Sequence, residues 1–212
     1  RANLKHPPLG RDAEEPLGGL DRARLVGVAD LDVAPVAEVL AQDVGERDFD
    51  VDKLYFLILR QNHSLLLEQI SEEAMGLSME TARYYAHIAT QLERIGDHSV
   101  KICQVVIESR PSPNIRFARL LQNAVKKLLP MLDDAAEFTR TVDKKRAHRI
   151  LNTILKTAGD VRPLYDEVIR NGLTGAAIVA DSIDRFRGYI ANMAEATIDH
   201  SFLEPPKGAE SA

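Results

Sequence analysis

Two pairs of carboxylates, Glu93 with Asp97 and Glu195 with Asp199, are the residues of this 212-residue chain best placed to do chemistry. Positions four apart lie one above the other on an α-helix, so each pair presents two negative charges on one face. Such neighbours repel weakly unless something cationic lies between them. The two pairs sit in a repeat. Aligned without gaps at an offset of 102, residues 83–99 and 185–201 share seven identities in 17 positions: Arg, Ile, Ala, Glu, Asp, His and Ser. A single Glu-x-x-x-Asp pair is ordinary on a solvated helix face; the same repulsion at two matched sites points to a bound cation.

All-oxygen ligation suits Mg, Mn, Ca or iron and disfavours a thiolate-type zinc site. Ferritin-like di-iron proteins need a Glu-x-x-His pair, and none of the six histidines has Glu three residues upstream. On a helical wheel Glu93 and Asp97 border an apolar arc of Tyr85, Leu92, Gly96 and Cys103, among the small residues Ala86 and Ala89. Around Glu195 the acidic stripe is longer and takes in Asp181 and Asp184. Asp184 nevertheless lies about 16 Å along the axis from Glu195, too far to share one ion. His98 and His200 fall on another face and read as surface or interface residues.

The elements that must carry these pairs are helices. Pro7, Pro8, Pro16 and three glycines exclude a long helix in the first 20 residues. Beyond Asp32 the pattern predicts a short helix over Ala34–Ala41 and a long one from Asp48 to about Glu73. Gly76-Leu77-Ser78 forms a turn, and Ser78 caps a helix running to about Glu108. Pro111-Ser112-Pro113 breaks the chain. The second half predicts a helix over Ile115–Arg140, one over Asp143–Arg170 interrupted near Gly159 and Pro163, and one over Ala176–Phe202. Asp50-Val51 and Leu54-Tyr55 recur as Asp160-Val161 and Leu164-Tyr165 at an offset of 110. No segment reads as strand-rich. The fold class is therefore all-α, two pseudo-repeated three-helix bundles with the first helix of the first repeat poorly formed. The boundaries are an irregular segment 1–29, repeats at 30–110 and 113–204, and a loose tail at 205–212.

Composition narrows the function. A net charge of −5 with no Lys/Arg block argues against nucleic acid as the main partner. One cysteine, Cys103, allows no intrachain disulfide and suits a reducing, cytoplasmic setting; its place on the apolar arc suits simple burial. No apolar run approaches the ~20 residues that span a bilayer. The chain shows no signal segment and opens on Arg1, which suits a fragment or a processed form. Lys126-Lys127 and Lys144-Lys145-Arg146 are short basic patches that read as solvated faces and leave a membrane-surface or kinase contact open.

The run Leu92-Glu93-Arg94-Ile95-Gly96-Asp97-His98-Ser99-Val100-Lys101-Ile102 resembles the signature of the PhoU family, regulators of phosphate uptake. Asp48-x-x-Val51-Asp52-Lys53-Leu54-Tyr55-Phe56-Leu57-Ile58-Leu59-Arg60 is similar to that family's preceding helix in the form associated with its archaeal branch. The resemblance covers roughly residues 30–204. It implies two three-helix bundles and a metal ion or multinuclear cluster, iron or zinc first, with manganese or magnesium as alternatives. The implied ligands are Glu93, Asp97, Asp48 and Asp52 in the first half and Glu195 and Asp199 in the second. The second copy departs from the pattern: the Arg and Gly of the signature are lost, and Ala158 and Arg162 stand where Asp48 and Asp52 would be. Some archaeal relatives carry an additional N-terminal DNA-binding domain, of which this chain shows none. The resemblance further implies a homodimer and, as partner, a phosphate transporter's ATPase subunit or a sensor kinase.

Three functions follow as expectations. The first is a non-enzymatic, metal-binding regulator coupling a phosphate transporter to its signalling or ATPase partner. The second is a metal-free helical adaptor that binds partners through acidic helix faces. A metallo-hydrolase ranks last, because the chain offers no nucleophile, general base beyond the ligands, or Gly-rich phosphate loop.

Overall fold

A computed structural model describes residues 34–109 and 114–203, and the expected irregular segment 1–29 and tail 205–212 lie outside them. The described residues are helical with no strand among them. In order they form α1 (Ala34–Leu66), α2 (Glu72–Met75), α3 (Met79–Ser109), α4 (Ile115–Thr141), α5 (Lys144–Lys156), a 3-10 turn (Ala158–Val161), α6 (Arg162–Asn171) and α7 (Thr174–His200). The first helix expected of the first repeat falls outside the described residues.

The first half departs from expectation at α1, which is one continuous helix rather than a short one and a long one. Residues 42–47 hold only one poor helix former, Gly45. An Arg47–Asp43 ion pair of 2.8 Å, four residues apart, bridges the supposed gap. The helix also stops seven residues early. Glu68 takes a left-handed φ of 54°, and the backbone N–H of Gln69 returns to the carbonyl of Ser64 at 2.9 Å. That ending uses a non-glycine residue, so no glycine signal marks it. The turn before α3 is as predicted: Gly76 is left-handed, and the Ser78 hydroxyl accepts from the N–H of Thr81 at 3.2 Å. In the second half the three predicted stretches match α4, then α5 to α6, then α7.

Packing follows a seven-residue rhythm. Along α1 the seam is formed by Ala41, Val44, Asp48, Val51, Tyr55, Ile58, Asn62 and Leu65, with Asp52 half-buried at its edge. Along α3 they are Ala82, Ala86, Ala89, Glu93, Gly96, Val100 and Cys103. These two seams join α1 and α3 as an antiparallel pair. A second seam on α3 (Tyr84, Ile88, Gln91, Ile95, His98, Ile102) packs on α7, which answers with Val179, Ile183, Phe186, Ile190, Met193, Thr197 and His200. Hydrogen bonds pin this contact at three levels. Tyr84 Oη shares one with Thr197 Oγ1 (3.0 Å), Asn192 Nδ2 donates to Gln91 Oε1 (3.0 Å), and His98 Nδ1 shares one with Ser182 Oγ (3.1 Å).

The main core lies around α7, where α4, α5 and α6 also pack. Phe138 and Ile190 are fully buried there, each worth about 1.5–3 kcal/mol of removed apolar surface. By contrast, Leu54, Phe56 and Leu92 of the α1/α3 pair stay exposed. Phe56 is exposed because it lies away from the α3 seam.

One buried carboxylate ties the second bundle together. Glu167 on α6 accepts from Asn171 Nδ2 (2.8 Å) and from Asn114 Nδ2 (3.3 Å), the cap of α4, and pairs with Arg116 and Arg170 at 3.2 Å each. Charge-assisted bonds of this kind are the stronger class. Glu167→Ala should therefore lower unfolding free energy by about 2–3 kcal/mol, and Glu167→Gln, which keeps an acceptor, by less. Urea unfolding of both variants measures the difference.

Candidate metal centre

The first four expected ligands lie along one helix–helix contact. Asp48 and Asp52 lie one turn apart on α1, Glu93 and Asp97 one turn apart on α3, and all four are half-buried along the seam between those helices. The two helices meet closely at Gly96. A Cβ added there would collide with Asp48 Oδ1, and the next atom it would meet on α1 beyond that carboxylate is Val51 Cγ1 at 3.9 Å. The glycine is thus the notch that admits the Asp48 carboxylate to the helix–helix interface. Ala86 and Ala89, small residues on the same seam, let α1 approach over the preceding turns.

The electrostatics of the cluster are those of an uncompensated one. Asp48 Oδ1 is buried and has no hydrogen-bond partner among the described residues. Burial, and then the charges of Asp52 and Asp97, push the Asp48 carboxyl above its ordinary value of 3.8. Burial likewise raises Glu93 above 4.5, followed by Asp97 and Asp52; Arg94 opposes the shift and Asp48 adds to it. None of the four carboxylates has a Lys or Arg at ion-pair distance among the described residues. An orphaned buried carboxylate oxygen amid three further acids is the donor chemistry of a hard or borderline cation. In the arrangement seen, however, no three His, Cys, Asp or Glu side chains among the described residues are placed to hold a metal ion. The donor set fits a cation, while its side chains stand apart.

Glu195 and Asp199 have a different setting. Both are exposed on α7 and line an open groove of about 720 Å³ against α3. Across it stand Arg83 and His87, four residues apart, with Glu80 beyond them. This is a mixed-charge groove, not a seam between acids. Three other acids of the second half are paired with cations: Asp160 with Lys127 (2.7 Å), Asp181 with Arg185 (3.6 Å) and Asp184 with Arg187 (3.8 Å). Sequence reasoning did not place Arg83 and His87 opposite this pair, because that needs the antiparallel pairing of α3 with α7.

The histidines of the two motifs serve packing. His98 sits at the α3/α7 interface, and burial, with Lys101 beside it, lowers its pKa below 6.5. His200 is buried and stacks on the Tyr84 ring with centroids 4.3 Å apart. Cys103 is half-buried on the seam facing α1, and burial pushes its thiol up from 9.0.

Fold and site together define an all-α protein whose first half is a helix pair built around acidic residues. Residues 36–106 match the family model described as the PhoU domain, which spans α1 to α3 almost completely. The match covers about a third of the chain, whose first half is in that stretch similar to the PhoU domain. No curated protein and no solved structure matches the chain closely enough to add to this. Among the described residues no helix is long and apolar enough to cross a membrane.

Two outcomes follow from the geometry. Gly96→Ala gains roughly 1 kcal/mol of helix propensity but must expel the Asp48 carboxylate. It should stabilise the protein by about that amount in an Asp48→Ala background and by clearly less, or not at all, with Asp48 present. A double-mutant cycle by chemical denaturation reads the coupling. For pH, acids whose folded-state pKa is raised favour folding while protonated and lose that contribution as pH rises through the raised value. Chelator-treated protein should accordingly lose stability as pH climbs from the ordinary carboxylate range of about 4 into the window above it. Asp48→Asn with Glu93→Gln should flatten that loss in a pH series of melting temperatures.

Proposed function

We propose that this protein is a non-enzymatic, metal-binding regulator of phosphate uptake, acting as a homodimer that couples a phosphate transporter to its ATPase subunit or to a sensor kinase. The observation that carries the reading is the partnerless, buried Asp48 Oδ1, pressed against Gly96 within a group of four acids. The PhoU domain over residues 36–106 supports the phosphate-transport context. Asp48, Asp52, Glu93 and Asp97 would hold the cation, iron or zinc first. Its charge would offset the repulsion that raises Asp48 and Glu93 and would fix the spacing of α1 and α3. Glu195 and Asp199 belong to this proposal only as a weaker second site, since Arg83 and His87 already face them. Exposed apolar side chains on the α1/α3 pair, among them Leu54, Phe56 and Leu92, support a second copy as the partner that covers them. A cytoplasmic location, with the protein working beside the transporter at the inner face of the membrane, completes the reading.

A second reading, a metal-free adaptor, draws on one observation: no three acidic, His or Cys side chains among the described residues are set to hold an ion. In that case the acidic faces of α1 and α3 bind basic partner surfaces, and binding weakens with salt.

Elemental analysis by plasma mass spectrometry decides between them. The purified protein should contain stoichiometric iron or zinc, and Glu93→Ala with Asp97→Ala should lose it. Chelation should also lower the melting temperature of the wild type but not that of the double variant. Metal-free wild-type protein with salt-sensitive partner binding would favour the adaptor.

A further inference from the structure

The cationic surface of α5 takes no part in the site or in the core. From Lys144 to Gly159 the chain has no Asp or Glu, although its net charge is −5. Ala147, Ile150 and Ile154 bury one side of α5 against the second bundle. The opposite side exposes Lys145, His148, Arg149, Asn152 and Lys156, at steps of three and four that align them along one face. The neighbouring cations are already engaged: Arg146 pairs with Asp134 at 2.9 Å, and Lys144 lies over the Phe202 ring at 4.8 Å. Lys145, Arg149 and Lys156, by contrast, meet no carboxylate at ion-pair distance among the described residues. Their three positive charges lie along a helix about 20 Å long.

We propose that this face of α5 docks the protein on the surface of a bilayer containing anionic lipid. Charge complementarity points to an anionic partner, and shape selects a plane over a peptide. The stripe is the convex outer side of a single helix, and its residues line neither the cavity of about 320 Å³ between α1 and α3 nor the groove of about 720 Å³ between α3 and α7. A convex row of long, flexible cations suits laterally mobile headgroups, which need no fixed shape to match. Leu155, two-thirds exposed at the edge of the stripe (66%), adds an apolar side chain at headgroup level. The chain's overall negative charge does not cancel the attraction. Beyond a Debye length of about 8 Å exposed charges are largely screened, so the local stripe governs contact. The acids are moreover concentrated elsewhere. α1 alone carries six (Glu38, Asp43, Glu46, Asp48, Asp50, Asp52) against three Lys/Arg (Arg47, Lys53, Arg60), and it packs on α3, whereas α5 packs on α7 and α4. That asymmetry would orient the protein with α5 towards the lipid. The inference does not depend on cation binding at α1 and α3.

Co-sedimentation of the full chain with vesicles tests it. The protein should partition onto phosphatidylcholine vesicles containing phosphatidylglycerol, not onto pure phosphatidylcholine, and high salt should release it. With ~1 kcal/mol for each cation near such a surface, Lys145→Gln/Arg149→Gln/Lys156→Gln should partition roughly a hundredfold more weakly. A control with the same net charge, Arg60→Gln/Lys101→Gln/Arg119→Gln, should stay within a few-fold of wild type. All six positions are exposed, so both variants should keep the wild-type circular dichroism. Failure to bind the anionic vesicles, or an equal loss in both variants, would overturn the proposal. So would capture of an acidic protein by this face in the absence of any vesicle binding.

Discussion

α3 must pack along two flanks at once, and most of the described structure depends on that constraint. Its residues serve two seven-residue rhythms set two positions apart, one towards α1 and one towards α7. The two seams differ in kind. Towards α7 stand Tyr84, Ile88, Ile95 and Ile102, large side chains joined to the main core and interleaved with the polar contacts of Gln91 and His98. Towards α1 stand Ala82, Ala86, Ala89 and Gly96, which let the partner backbone come close but offer little surface to bury. The α7 contact therefore supplies adhesion, and the α1 contact supplies proximity.

Proximity is what brings the acids together, and it explains why matched motifs end in unlike settings. Glu93 and Asp97 lie where another helix crosses closely with two aspartates of its own. Glu195 and Asp199 have the same spacing on α7, yet they open onto a groove across from Arg83 and His87. At the positions equivalent to Asp48 and Asp52 the second half carries Ala158 and Arg162. The repeat has kept the residue types on the third helix of each half and changed what faces them. In the second half the inner surface of the bundle is given over to apolar packing and to the Glu167 network instead.

Much of this was legible beforehand, for reasons that can be named. Helix ends with a side-chain cap could be read directly: Ser78 accepts a backbone N–H where a cap was expected, and Asp143, where a helical stretch was expected to begin, accepts two that hold its carboxyl below 3.8. Ends without such a signal could not. α1 stops through a left-handed Glu68, seven residues before its expected end. The acids on α3 stood out through their repetition, and the small residues around them announced a close crossing. The groove between α3 and α7 was harder to see. It requires knowing that those helices run antiparallel, which brings Arg83 and His87 opposite Asp199 and Glu195; no single-helix wheel contains that information. The exposure of Phe56 is of the same kind, since hydrophobicity alone does not say which flank of α1 is covered.

The notch at Gly96 has a consequence for alignment. A seam of heptads is nearly periodic, so an antiparallel pair could slide by one repeat, about 10 Å, and still bury apolar residues. Moved that far, Asp48 would face Ala89 or Cys103, both of which carry a Cβ where a carboxylate oxygen now rests. Only one alignment offers a vacancy for it. A polar group placed in a hydrophobic seam is a known means of specifying register at a cost in stability, and here the specification is written twice, as a charge on one helix and as a missing methyl on the other. Asp48 and Gly96 thus act as key and slot for the hairpin, so the four acids can assemble in a single alignment of the two helices.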